Sequence, residues 1–144
     1  MSRSKSEIYL HLVWATWRRQ PFVTPDIERA IYRCISQQAQ ALKCVVLAIG
    51  GMPDHVHLAV IAPTTVSAAQ LANRVKGVSS TLVRKQLRPE AFFNWQDGFA
   101  VFSFGPDHKD RVIAYIRKQK QHHGAGKLWL HWEETPDNDP DAIP

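Results

Sequence analysis

An α+β domain built on an antiparallel sheet is the fold this sequence predicts, and three observations carry the prediction. Ile8 to Trp17 alternates as a strand, with Ile8, Leu10, Leu12 and Trp14 on one side and Tyr9, His11, Val13 and Ala15 on the other. Both sides are largely apolar, so the strand belongs in the middle of a sheet. Two further strand-like runs, Cys44 to Ile49 and His55 to Ile61, are separated only by Gly50-Gly51-Met52-Pro53-Asp54, which reads as the turn of a hairpin. Stretches with helical periodicity fill the intervals between strands.

Taken in order, Pro25-Asp26 opens a helix after the first strand, with Pro at a position where its missing N–H costs nothing. Its apolar stripe is Ile27, Ala30, Ile31, Cys34, Ile35 and Leu42. The hairpin follows. After Pro63-Thr64-Thr65, a second helix from about Ser67 to Leu87 is expected to bury Leu71, Val75, Val78 and Leu82 and to show Asn73, Arg74, Lys76 and Lys85. Phe99 to Phe104 is the fourth strand. A last helix spans Asp107 to His123, with Asp107 as a candidate cap and Gly124 as its stop. The order β-α-β-β-α-β plus a helix is ferredoxin-like, with an antiparallel sheet carrying helices on one face. That fold hosts unrelated functions, so function must be read from a site.

Composition limits the choices. The chain has 144 residues, 44% apolar, with five Trp, six Phe and three Tyr, which suits one globular domain. No apolar run approaches the roughly 20 residues of a membrane span, and Met1 to Glu7 is polar, so a cytoplasmic protein is expected. Cys34 and Cys44 show no Cys-x-x-Cys pattern and read as buried free thiols. All 18 Lys and Arg lie in residues 1–132 with eight acidic residues, a net charge of +10, while five acids fall in a Pro-rich, loosely ordered tail over 133–144. A basic body with a pI near 9.5 points to an anionic partner, of which nucleic acid is the commonest. Arg18 and Arg19 after the first strand, and Arg74, Lys76, Arg84 and Lys85 on the second helix, can contact phosphates, with Trp17 and Trp95 as possible base platforms.

Two places carry chemistry. A strand starting at His55 sets His55 and His57 on one side and Val56 on the other, and two neutral imidazoles side by side are half of a metal site. The alternative is two ordinary strand histidines facing water. Sixty residues later, helical spacing at 100° per residue puts Val112, Tyr115, Ile116, Gln119 and His123 on one stripe. A lone Tyr there is ordinary core; a carboxamide one turn away is not, because its amide needs a buried partner. For His11 the reading is a hydrogen-bonded strand histidine, and for His122-His123 a cation pair near a helix C-terminus.

The blocks His11-Leu12-Val13-Trp14-Ala15-Thr16, Gly51-Met52-Pro53-Asp54-His55-Val56-His57-Leu58, Lys76-Gly77-Val78-Ser79-Ser80 and Tyr115-Ile116-x-x-Gln119 together resemble the single-tyrosine HUH transposases of bacterial insertion sequences and their relatives associated with repetitive extragenic palindromes. The likeness runs in order from about residue 9 to 123. It implies a metal-dependent single-stranded DNA transesterase that cleaves and rejoins DNA through a 5′-phosphotyrosine, with Tyr115 as nucleophile. It further implies that His55, His57 and Gln119 hold one divalent ion, Mg²⁺ or Mn²⁺, with His123 as the competing third ligand. The implied substrate is single-stranded DNA with hairpin ends, and the implied assembly is a homodimer with shared active sites. His122-His123 and Asn94-Trp95-Gln96-Asp97-Gly98-Phe99 look closer to the palindrome-associated or chromosomally resident branch. The competing reading is a domesticated, noncatalytic hairpin-binding protein of the same fold; a water-using metal hydrolase would leave Tyr115 unexplained.

Overall fold

The computed structural model describes residues 4–121. Four strands, β1 (Ile8–Ala15), β2 (Val45–Met52), β3 (His55–Ala62) and β4 (Ala100–Phe104), form one antiparallel sheet in the order β2-β3-β1-β4. Helix α1 (Pro25–Ala41) joins β1 to β2, and α2 (Ala68–Leu82) leads from β3 toward β4. Helix α3 (Lys109–Arg117) follows β4. The ferredoxin-like order and the central place of β1, between β3 and β4, are as the alternation of its apolar residues requires.

The two faces of the sheet differ in what covers them. Leu12, Trp14, Val56, Leu58 and Val60 pack with Ile27, Ile31 and Ile35 of α1 and Leu71 and Val75 of α2 in the main core. The other face has a much smaller apolar cluster of Ala48, Ala59, Val112 and Ile116, and it is covered by α3. The expectation of helices on one face therefore holds for α1 and α2 and fails for α3. The physical reason is the second apolar side of the central strands, which also has to be removed from water.

Several boundaries move from the sequence reading. β1 stops at Ala15, because Trp17–Arg19 wind into a 3₁₀ turn in which Arg18 (φ 51°) and Arg19 (φ 52°) take left-handed conformations. β2 continues through Gly50 and Gly51 to Met52, leaving Pro53 and Asp54 as the tip of the hairpin. α2 begins where Ser67 and Gln70 form a reciprocal capping box (3.0 and 2.8 Å). It then widens at Val83–Leu87 into a π-helical turn closed by the Arg88 N–H donating to the Val83 carbonyl (2.7 Å). Val78 and Leu82 are half-buried rather than core, since the buried stripe runs Leu71, Ala72, Val75, Ser79 and Val83. Residues 106–108 are a 3₁₀ turn, so α3 starts at Lys109 and Asp107 caps nothing. The acidic tail, His122, His123 and the Gly124 stop lie outside the described residues.

Both cysteines are free and buried, and loss of hydration pushes both thiols above their usual value. Among the described residues, no helix is long and apolar enough to cross a membrane.

Candidate active site

The period of two along β3 puts His55 and His57 on the α3 side of the sheet, and both are buried, which removes the reading of two water-facing histidines. In register they sit opposite Ala15 and Val13 of β1 and opposite Met52 and Gly50 of β2. Of these four, Ala15 and Gly50 are small. Gly50 is required there, because a Cβ at that position would lie 2.2 Å from the Ile116 carbonyl oxygen of α3. The helix backbone thus rests directly on β2.

On α3, Val112, Tyr115, Ile116 and Gln119 are all buried, as their helical spacing predicts. The Tyr115 ring meets His57 edge-on, with centroids 5.8 Å apart and planes at 81°. The helix breaks at Lys118 (φ −104°, ψ 25°), and residues 119–121 are helical again. Gln119 keeps its place below Tyr115: its Nε2 donates to the Tyr115 carbonyl (3.4 Å), and its Oε1 faces His55 Nε2 at 3.3 Å.

Each histidine is oriented from behind. His55 Nδ1 is 2.6 Å from Asp54 Oδ1, at the hairpin tip. Burial works against the Asp54 charge, but the His55 hydrogen bond, the imidazole charge and the Arg19 guanidinium outweigh it and hold the carboxyl below the usual carboxylate value. Arg19 Nε lies 3.7 Å from Asp54 Oδ2. His57 Nδ1 is 2.9 Å from His11 Nε2, and the rings of His11, His57 and His55 follow one another with successive centroids 5.1 Å apart, the first pair tilted by 32° and the second edge-on at 74°. Sequence reasoning gave Asp54 no role, and it read His11 as a hydrogen-bonded strand histidine, as observed, without identifying His57 as its partner. The only signals were that Asp54 directly precedes His55 and that β1 alternation puts His11 on the less crowded face.

The donor set fits a divalent ion. Among the described residues no three His, Cys, Asp or Glu side chains gather as a metal site; the groups that could hold an ion here are the two imidazoles and the Gln119 amide oxygen. Two ligands at about 2.1–2.2 Å from an ion and at right angles are about 3 Å apart, close to the observed 3.3 Å between His55 Nε2 and Gln119 Oε1. With Nδ1 of His55 protonated toward Asp54 in the neutral ring, its Nε2 and Gln119 Oε1 would both be acceptors, a pair that a cation could bridge.

The basic residues expected to contact DNA lie on both sides of the sheet. Arg18 is exposed with its guanidinium 4.5 Å above the Trp17 ring, and its N–H donates to Gln96 Oε1 (3.1 Å). Arg19 joins the site through Asp54. Arg74, Lys76, Arg84 and Lys85 belong to α2 and its π turn, behind the sheet from the histidines. There Arg74 donates to Gln38 Oε1 (2.7 Å), while Lys76 holds the carbonyls of Gln96 (2.8 Å) and Gly98 (2.7 Å). Trp95 is no platform: it is buried against Trp14 and Phe93, and its indole N–H donates to Ser79 Oγ (3.0 Å).

Comparison with known proteins decides the family. A sequence profile described as "Transposase IS200 like" matches residues 4–119. The chain belongs to the IS200-like transposase family. No curated protein sequence matches it. Among solved structures, this transposase is similar to a Deinococcus radiodurans R1 protein described as a candidate transposase. The TM-score is 0.65 at 20% identity, over 83% of this chain and 98% of that one. It is also similar to a REP-associated tyrosine transposase bound to a REP hairpin, with a TM-score of 0.60 at 14% identity over 100% and 89% of the two chains. At such identities these likenesses establish the fold.

Proposed function

We propose that this transposase is a metal-dependent single-stranded DNA transesterase that cleaves and rejoins DNA through a 5′-phosphotyrosine. The observation that carries the reading is the convergence of His55 Nε2 and Gln119 Oε1 at 3.3 Å beside a ring pair of His57 and Tyr115, from elements far apart in sequence. His55, His57 and Gln119 would hold Mg²⁺ or Mn²⁺, and the ion would supply Lewis-acid stabilisation of charge on the scissile phosphate. None of the three side chains carries a negative charge, so none would offset the charge of the ion.

Tyr115 supplies the nucleophile. Its Oη forms the bond to phosphorus as the bond to the 3′ oxygen breaks; the phenol gives up its proton and the departing oxygen ends as a 3′-hydroxyl. The phosphoester is kept in the tyrosine link, so a 3′-hydroxyl can reverse the step and join strands. Tyr115 rests on the His57 of its own chain, which supports a site completed within one protomer. In the homodimer suggested by the sequence resemblance, the tyrosine would be exchanged between subunits.

The hairpin bound by the structurally similar REP-associated transposase supports a hairpin-bearing single strand as the partner. Arg18, Arg19, Arg74, Lys76, Arg84 and Lys85 are the proposed phosphate contacts. Arg84 and Lys85 are exposed and form no ion pair among the described residues, and Trp17 with the exposed Phe92 (centroids 5.2 Å apart) offers a stacking surface. The test is incubation with hairpin-bearing single-stranded DNA and Mn²⁺, read on a denaturing gel. A protein–DNA adduct lost on chelation is expected. Hairpin binding without any adduct would replace this reading with the noncatalytic one.

A further inference from the structure

The geometry points to His11 as a positioning residue that sets the tautomer of His57 and thereby aims its Nε2 lone pair at the cation. This rests on the reading of His55, His57 and Gln119 as a metal site, and it concerns a residue in none of those roles.

His11 lies mid-strand in β1, paired with Ala59 on one side and Phe102 on the other, and is 1% exposed. An apolar side chain would fill this position at lower desolvation cost. What the imidazole adds is a 2.9 Å contact from its Nε2 to His57 Nδ1. Between two neutral rings such a contact needs one N–H, and there are two ways to place it. If His57 Nδ1–H donates to His11 Nε2, the lone pair of His57 is on Nε2, the nitrogen a cation would take. If His11 Nε2–H donates instead, the His57 proton sits on Nε2 and that nitrogen cannot be a ligand. The first arrangement matches the neighbouring histidine, where Asp54 Oδ1 at 2.6 Å accepts from His55 Nδ1 and leaves Nε2 toward Gln119. The two imidazoles are thus held by the same nitrogen, one by a carboxylate and one by a third imidazole. Partners behind metal-binding histidines fix tautomer and ring orientation in this way.

Two measurements test the role. In the metal-free full chain, long-range ¹⁵N–¹H correlation should show His57 protonated on Nδ1 and unprotonated on Nε2, with His11 protonated on Nδ1. A proton on His57 Nε2 would overturn the inference. Separately, His11→Leu should keep the fold and weaken Mn²⁺ binding roughly 10–100-fold by titration calorimetry. His11→Gln, whose Oε1 can replace the Nε2 acceptor, should recover most of that loss. Equal Mn²⁺ affinity in wild type and His11→Leu, or no recovery with Gln, would also overturn it. If the wild type itself bound no Mn²⁺, the metal reading would fall, and the tautomer measurement alone would decide the role of His11.

Discussion

Gly50→Ala tests whether the docking of α3 on β2 sets the chemistry. The added Cβ would stand 2.2 Å from the Ile116 carbonyl oxygen, 3.1 Å from its carbon and 3.3 Å from Ile116 Cγ2. The nearest atom is backbone in the last turn of α3, so no rotamer change relieves the clash. Reaching an ordinary contact of 3.4 Å from 2.2 Å takes about 1.2 Å of helix displacement. Ile116 adjoins Tyr115 and lies three residues before Gln119, so both move with it, and the 3.3 Å gap between Gln119 Oε1 and His55 Nε2 opens. A misplacement of about 1 Å can cost about 100-fold in rate, and overpacking costs about 1–3 kcal/mol in stability. The assay is single-turnover adduct formation on hairpin-bearing DNA with Mn²⁺, beside fluorescence anisotropy for DNA affinity and a thermal melt. We expect a fall in adduct rate of roughly two orders of magnitude, a higher Mn²⁺ requirement and DNA affinity close to wild type. Gly77→Ala is the control, since its Cβ meets nothing within 4 Å on the exposed side of α2 and should leave every readout unchanged or stabilise the helix slightly. A Gly50→Ala protein with wild-type adduct rate and Mn²⁺ requirement would refute the idea that this contact positions the site.

Tyr115→Phe should abolish the covalent adduct with hairpin affinity and melting temperature nearly unchanged, because only one oxygen is removed; an adduct of normal yield would end the nucleophile assignment. Gln119→Ala should raise the Mn²⁺ concentration for half-maximal cleavage without abolishing turnover at saturation, as expected for a neutral oxygen beside two imidazoles. His123→Ala should be mild by comparison, and the reverse ranking would move the third ligand. Replacing Arg84 and Lys85 together by Ala should lower the slope of log K against log salt by about 1.4 to 1.8, the value for two lost phosphate contacts. An unchanged slope would take the π turn out of the DNA interface.

The parts of the fold that the chain spells locally were legible. Two-sided apolar alternation located β1 in the middle of the sheet, Pro25 marked the start of α1, and the hairpin joining the His55 strand to its partner was legible although its turn is Pro53 and Asp54 rather than the five residues from Gly50. The spacing of Val112, Tyr115, Ile116 and Gln119 gave the buried face of α3 correctly. What depended on register between distant segments was not legible. Nothing near Trp95 in sequence indicates that Ser79 will take its indole N–H, and nothing near Lys76 indicates that the carbonyls of Gln96 and Gly98 will hold its ammonium. The contact between His11 and His57 likewise needs the β1–β3 register, which places His57 opposite Val13 and Ala59 opposite His11.

The sheet separates stability from chemistry. Its α1/α2 side buries Leu12, Trp14, Val56, Leu58 and Val60 against two helices and needs no polar group to do so. Its α3 side carries His11, His55 and His57 in the same strands, with a small buried cluster of Ala48, Ala59, Val112 and Ile116 against which Leu47, Phe104 and Ile113 pack. Polar residues in central strands are costly, and departures from local apolar pattern concentrate at functional sites. The arrangement also reduces the geometric problem to one joint. The two imidazoles are fixed to each other by one strand, and the amide to the tyrosine backbone by the Gln119 Nε2 bond to the Tyr115 carbonyl, so their mutual placement depends on how the end of a single short helix sits on the β2–β3 hairpin. That seat is made of small residues, Ala48, Gly50 and Ala59, and Gly50 is where the helix backbone comes closest. A larger residue there would leave both halves of the site intact and hold them apart.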